Sequence, residues 1–115
     1  MRKFTDTELD LAPEVAEVMG PGRDYQKGDL VFNDGKVELH GGPFPCRPLF
    51  KVGHHWLPLE YDCLEWLRER YDVLHIHYSS ELGERIWDID TYSAYSESPT
   101  LLETLYRVIV SGGER

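Results

Sequence analysis

Cysteine, basic residues and long apolar runs are all scarce in this chain, and each shortage removes a class of protein. Two cysteines in 115 residues, Cys46 and Cys63, cannot make the dense, even framework of a small secreted scaffold. Nowhere do 18 consecutive apolar residues occur, so a membrane-spanning helix and a membrane partner are not expected. The opening MRKFTDTELD holds two basic residues but no apolar stretch, so it does not read as a signal peptide. Cytoplasmic localisation with reduced thiols is the expectation. Twelve Lys and Arg stand against twenty-one Asp and Glu, a formal net charge of −9. Each phosphate contact wants a Lys or Arg, so direct nucleic-acid binding is not expected either. Catalytic signatures are missing too. There is no Gly-x-Ser-x-Gly elbow, no Gly-x-Gly-x-x-Gly loop and no Walker-type loop, hence no motif for acyl transfer or nucleotide phosphates.

What remains is the material of one domain, residues 1–115, able to bury a core without disulfides or metal. Three Trp, seven Tyr and four Phe supply large core or contact area. Thr5 and Glu8 have capping-box spacing. Pro13, though, is tolerated only in a first turn, which favours a helix start near Asp10. Ala12, Val15, Ala16 and Met19 form its apolar stripe, and Gly20, Pro21 and Gly22 end it. Two strands, residues 29–32 and 36–40, flank Asn33, Asp34 and Gly35, a hairpin turn signal. The run GGPFPCRP at 41–48 reads as a loop, with a short return to the sheet at 49–52.

Pro58 opens a second helix running to about Tyr71, with Tyr61, Leu64, Leu67 and Tyr71 as its buried stripe and Cys63 and Trp66 beside it. Alternation over 73–78 and 85–90 predicts a second hairpin across a polar link at 79–84, with 91–96 continuing it or adding a strand. Ser98 and Pro99 look like the cap and first residue of a last helix, whose face is Leu102, Leu105, Tyr106 and Ile109. The class is therefore α+β: a mainly antiparallel sheet of about four to six strands carrying about three helices, in the order α-ββ-α-ββ-α.

From about residue 58 to 110, three features resemble a group of small phage and prophage proteins of "ABA sandwich" type. These are the helix YDCLEWLRERY, the strands VLHIHY and RIWDID, and the closing YSESPTLLETL. The resemblance spans less than half the chain. Leu101 and Leu102 stand where that group carries a small residue after the proline. It implies a fold and a phage or bacterial context, and no activity.

The sharpest chemical hint is His75 and His77 followed by Glu81. Histidines at i and i+2 on a strand share a face and could share a transition metal. The set is similar to the first metal-binding motif of cupins, but Glu69 and Asp88 replace the flanking glycines and no second histidine motif follows. No cofactor is otherwise indicated. A composite site of Cys46 and His40 with His54 or His55 lacks any C-x-x-C knuckle. Asp88 and Asp90 share a strand face, where charge usually marks a wet edge. Cys63 reads as a small core residue rather than a nucleophile. Surplus aromatics point to a contact surface, with Trp87, Ile89, Tyr92 and Tyr95 as its candidate residues.

Three functions fit this pattern. The leading one is a non-enzymatic interaction or accessory protein that binds a protein partner or itself. The alternatives are a small metal-binding protein or metal-dependent enzyme using His75, His77 and Glu81, and an acidic inhibitor of a nucleic-acid-handling protein.

Overall fold

In a computed structural model of the chain, the structure describes residues 2–20, 24–41 and 54–113. Its elements run α1 (Asp6–Met19), β1 (Leu30–Asn33), β2 (Lys36–Leu39), β3 (His54–Trp56), α2 (Glu60–Arg70), β4 (His75–Glu81), β5 (Glu84–Asp90), β6 (Tyr95–Ser98) and α3 (Leu101–Gly113). The α+β class, three helices and antiparallel pairing are as expected. The strands divide into two three-stranded sheets, β2-β1-β3 and β4-β5-β6, rather than joining in one. The return strand expected at 49–52, and Cys46, lie outside the described residues. No helix among the described residues is long and apolar enough to cross a membrane.

α1 begins at Asp6, a turn earlier than the position of Pro13 suggested. Thr5 Oγ1 accepts from the Glu8 N–H at 3.1 Å, and Glu8 Oε1 accepts from the Thr5 N–H at 2.7 Å. Glu8 is buried, and its other oxygen accepts from the Thr100 hydroxyl at 2.8 Å. A proline inside a helix costs ~3 kcal/mol. Two bonds to a carboxylate at ~1.5–3 kcal/mol each are of the size needed to offset it. Ala12 and Val15 are buried in the core on the same helix.

Both sharp hairpins use two-residue turns with positive φ. Asp34 (48°) and Gly35 (86°) join β1 to β2, and Leu82 (54°) and Gly83 (79°) join β4 to β5. This is the type I′ geometry that matches strand twist. The second hairpin is longer than the sequence suggested. The polar stretch 79–84 is mostly strand, because only Leu82 and Gly83 leave the ladder. Leu39 is 58% exposed on β2, the end strand of the first sheet.

α3 is the centre of the molecule and touches α1, α2, β5 and β6. Leu102, Leu105, Tyr106, Val108 and Ile109 are buried, and so are the polar Glu103 and Thr104. Its cap is Thr100, whose Oγ1 accepts from the Glu103 N–H at 3.1 Å. Ser98, the expected cap, belongs to β6. Its hydroxyl bonds that of Thr104, which also donates to the Thr100 carbonyl at 2.8 Å.

An N-terminal strap holds α2. Arg2 makes paired hydrogen bonds to both carboxylate oxygens of Glu60. Burial alone would push the Glu60 carboxyl up, but the Arg2 bonds outweigh it and hold the group below its ordinary 4.5. A lowered folded value means that the unfolded chain binds the proton more tightly. The stabilisation is therefore complete above pH 4.5 and is lost as the pH falls through the lowered value. Urea midpoints of the native chain and Arg2→Ala should then differ at neutral pH and converge on acidification. A gap that persists unchanged in acid would refute the coupling.

Candidate functional site

The second sheet has two different faces, set by the register of its hairpin. His75 lies opposite Asp90, His77 opposite Asp88, and β6 continues the rows with Tyr95 beside Asp90 and Glu97 beside Asp88. Opposed residues share a face. His75, His77, Asp88, Asp90, Tyr95 and Glu97 therefore share the face away from α3. On the other face Ile89, Ser96 and Ser98 are buried, and Thr104 of α3 reaches the Trp87 carbonyl at 3.3 Å.

This geometry revises the contact surface expected from sequence. Ile89 is fully buried in the core, so it cannot meet a partner. Trp87 is half-buried and rests against Tyr78, with ring centroids 4.8 Å apart at 50°. Tyr92 and Tyr95 are exposed. Tyr92 is held out by a tight corner between β5 and β6. Its N–H donates to Asp90 Oδ1 at 2.9 Å, while Thr91 Oγ1 accepts from the Ala94 N–H at 3.0 Å. The corner puts Tyr92 at φ 67°, a strained setting for a bulky side chain that costs ~1–3 kcal/mol. Tyr95 donates its hydroxyl to Glu97 at 3.1 Å. That bond raises the phenol above its ordinary value.

The histidine pair is where the sequence placed it. His75 and His77 are exposed side by side, with ring centroids 6.3 Å apart, and His75 lies 6.0 Å from the Tyr92 ring. The side chain of Glu81 lies outside the described residues. Among the described residues, no group of three or more His, Cys, Asp or Glu side chains is placed to hold a metal ion. His40 contacts Tyr25, ring to ring at 5.9 Å. His55 stacks on Phe32 at 5.2 Å. Cys63 is buried, and burial pushes its thiol far up, away from the reactive thiolate.

Sequence reasoning missed a groove between α2 and the start of β4. It holds about 640 Å³ and is walled by Tyr61, Leu64, Arg68, Tyr71, Leu74 and Ile76. The helix was expected to bury Tyr61 along with Leu67. Instead Cys63 and Leu67 are buried and Tyr61 is 73% exposed. The segment YDCLEWLRERY offers two apolar stripes, and its contact with α3 buries one of them.

No family model, curated protein or solved structure matches this chain. The site holds exposed tyrosines: Tyr78 on β4, Tyr61 and Tyr92 beside that strand, and Tyr95 across the sheet on β6. Strand β4 is an open edge of its sheet, and His75 to Ser80 are exposed on both of its faces.

Proposed function

We propose that this chain is a non-enzymatic interaction protein, an accessory factor that binds another protein through β4 and the tyrosines around it. One observation carries the reading: an exposed edge strand carries Tyr78 and has exposed Tyr61 and Tyr92 beside it, next to an apolar groove. Tyrosine brings large contact area at small entropic cost, and its hydroxyl tolerates the wet state before binding. Open strand edges are templates for pairing, which soluble proteins normally blunt. The strain at Tyr92 supports the same reading, because an outlier of that size persists where the exposed ring has a use. The resemblance of residues 58–110 to phage and prophage proteins suits an accessory role in that setting.

The test compares the tagged chain with a Tyr61→Ala/Tyr78→Ala/Tyr92→Ala variant as bait, in lysate of the source organism that also contains untagged chain. All three side chains are exposed, so the variant should melt within a few degrees of the native protein. The native bait should retain a partner in near-stoichiometric amount, and the variant should lose at least tenfold of it. Equal retention by both baits, or none by the native one at micromolar concentration, would overturn the reading.

A further inference from the structure

Apart from Glu81 at its end, β4 carries no device among the described residues that usually protects a sheet edge. Its sequence His75-Ile-His-Tyr-Ser-Ser-Glu81 has no lysine and no proline. All seven residues pair one-to-one with β5, so no bulge twists it away. The opposite edge differs. β6 is four residues long, carries Glu97 and runs into Pro99.

The turn decides which backbone groups of β4 are free. Glu81 and Glu84 close the two-residue turn, and a β-turn is bonded between its first and last residues. Hydrogen-bonded and non-bonded pairs then alternate along the ladder. Ser79, His77 and His75 thus point their N–H and C=O toward β5. Ser80, Tyr78 and Ile76 point theirs outward, where no described element meets them.

From this we infer that β4 pairs with the β4 of a second copy, antiparallel, about a two-fold axis at Tyr78. The inference rests on the interaction reading above and names its partner. In this register Tyr78 meets its own copy, Ile76 meets Ser80, and every outward group is bonded, giving about six interchain hydrogen bonds. Position 75, a histidine, meets position 81, a glutamate, so the one acidic residue of the strand lies opposite an imidazole. Moving the axis to His77 or Ser79 leaves one outward residue of each copy unpaired, and the His77 axis also sets two imidazoles together. A shift to odd register turns outward groups against inward ones and inverts the faces.

Tyr78 and Ile76 of both copies fall on the helix side of the joined sheet. They form one stripe that links the two grooves and adds aromatic area beside Trp87. Charge opposes approach, since each copy carries −9. Beyond ~8 Å physiological salt screens that repulsion, and the strand at the contact bears little of it.

Sedimentation equilibrium on the purified full chain should show a mass rising with concentration from 13.4 kDa toward twice that value. Ser80→Pro removes an outward N–H that the sheet itself does not use, a position where edge strands tolerate proline. It should weaken association at least tenfold while leaving the monomer's melting temperature within a few degrees. In a Cys46→Ser background, Tyr78→Cys should form an intermolecular disulfide under mild oxidation. Paired Cα atoms there lie ~5.5 Å apart, within disulfide reach. Ile76→Cys alone should not cross-link, but mixed with Ser80→Cys it should. A chain monomeric up to millimolar concentration overturns the pairing and leaves the interaction reading to its lysate test. A dimer indifferent to Ser80→Pro and not locked through position 78 also overturns it, while upholding the interaction reading.

Discussion

Replacing Tyr106 by alanine is expected to bring this protein close to unfolding at room temperature. Tyr106 is the largest fully buried side chain among the described residues, and it sits in the middle of α3, the helix that α1, α2, β5 and β6 all pack against. Truncating a buried aromatic costs ~3–5 kcal/mol through lost transfer energy and the cavity left behind. A small domain has only ~5–15 kcal/mol in total. The phenol adds a separable part, because its hydroxyl donates to the carbonyl of Pro58, whose own ring is buried. Burial pushes that phenol far above its ordinary value, so it stays a donor throughout the working pH range. Tyr106→Phe keeps the ring but leaves the carbonyl unpaired, at ~1–3 kcal/mol. Urea unfolding followed by circular dichroism should rank the variants native, Phe, Ala. A Phe variant as stable as the native chain would mean that water or a shifted backbone serves Pro58 instead.

Ile89→Ala should give the second large loss, ~2–5 kcal/mol. Ile89 is fully buried on the α3-facing side of β5, whereas Tyr95, opposite Asp90 on the other face, is exposed. Tyr95→Ala should therefore stay within ~0.5 kcal/mol of the native chain. The contrast separates two side chains that read alike in sequence as contact residues. If Ile89→Ala melted normally and lost only partner binding, the packing of β5 on α3 would be wrong.

Much of the architecture was legible because its signals are local. The Asp34–Gly35 turn, the alternation through β4 and β5, the Thr5–Glu8 capping spacing and the apolar stripes of α1 and α3 each depend on residues a few positions apart. Pro13 misled for the same reason. Read alone it forbids a helix before it, yet Glu8 reaches Thr100 across the fold and offsets its cost. Ser98 followed by Pro99 carries the usual marks of a helix start, but its hydroxyl is taken by Thr104 and Thr100 caps instead.

The candidate site was legible in its residue types and not in its grouping. His75 and His77 do lie together, since a strand period of two places them so whatever surrounds it. Tyr92 and Tyr95 are exposed. Ile89 and Tyr61 exchanged places relative to expectation. A six-residue alternation cannot tell which face of a sheet a helix will cover, and YDCLEWLRERY cannot tell which of its two apolar stripes α3 will meet.

Amphipathic period, turn chemistry and composition were thus enough to set the α+β class, the order of elements, the two hairpins and a formal net charge of −9. The division into two sheets, the central place of α3, the burial of Ile89, the exposure of Tyr61, and the open groove beside β4 came from packing between elements distant in sequence. Such contacts depend on which apolar faces find each other. A chain of this size has more apolar faces than one core can cover, so only the tertiary structure decides which remain outside.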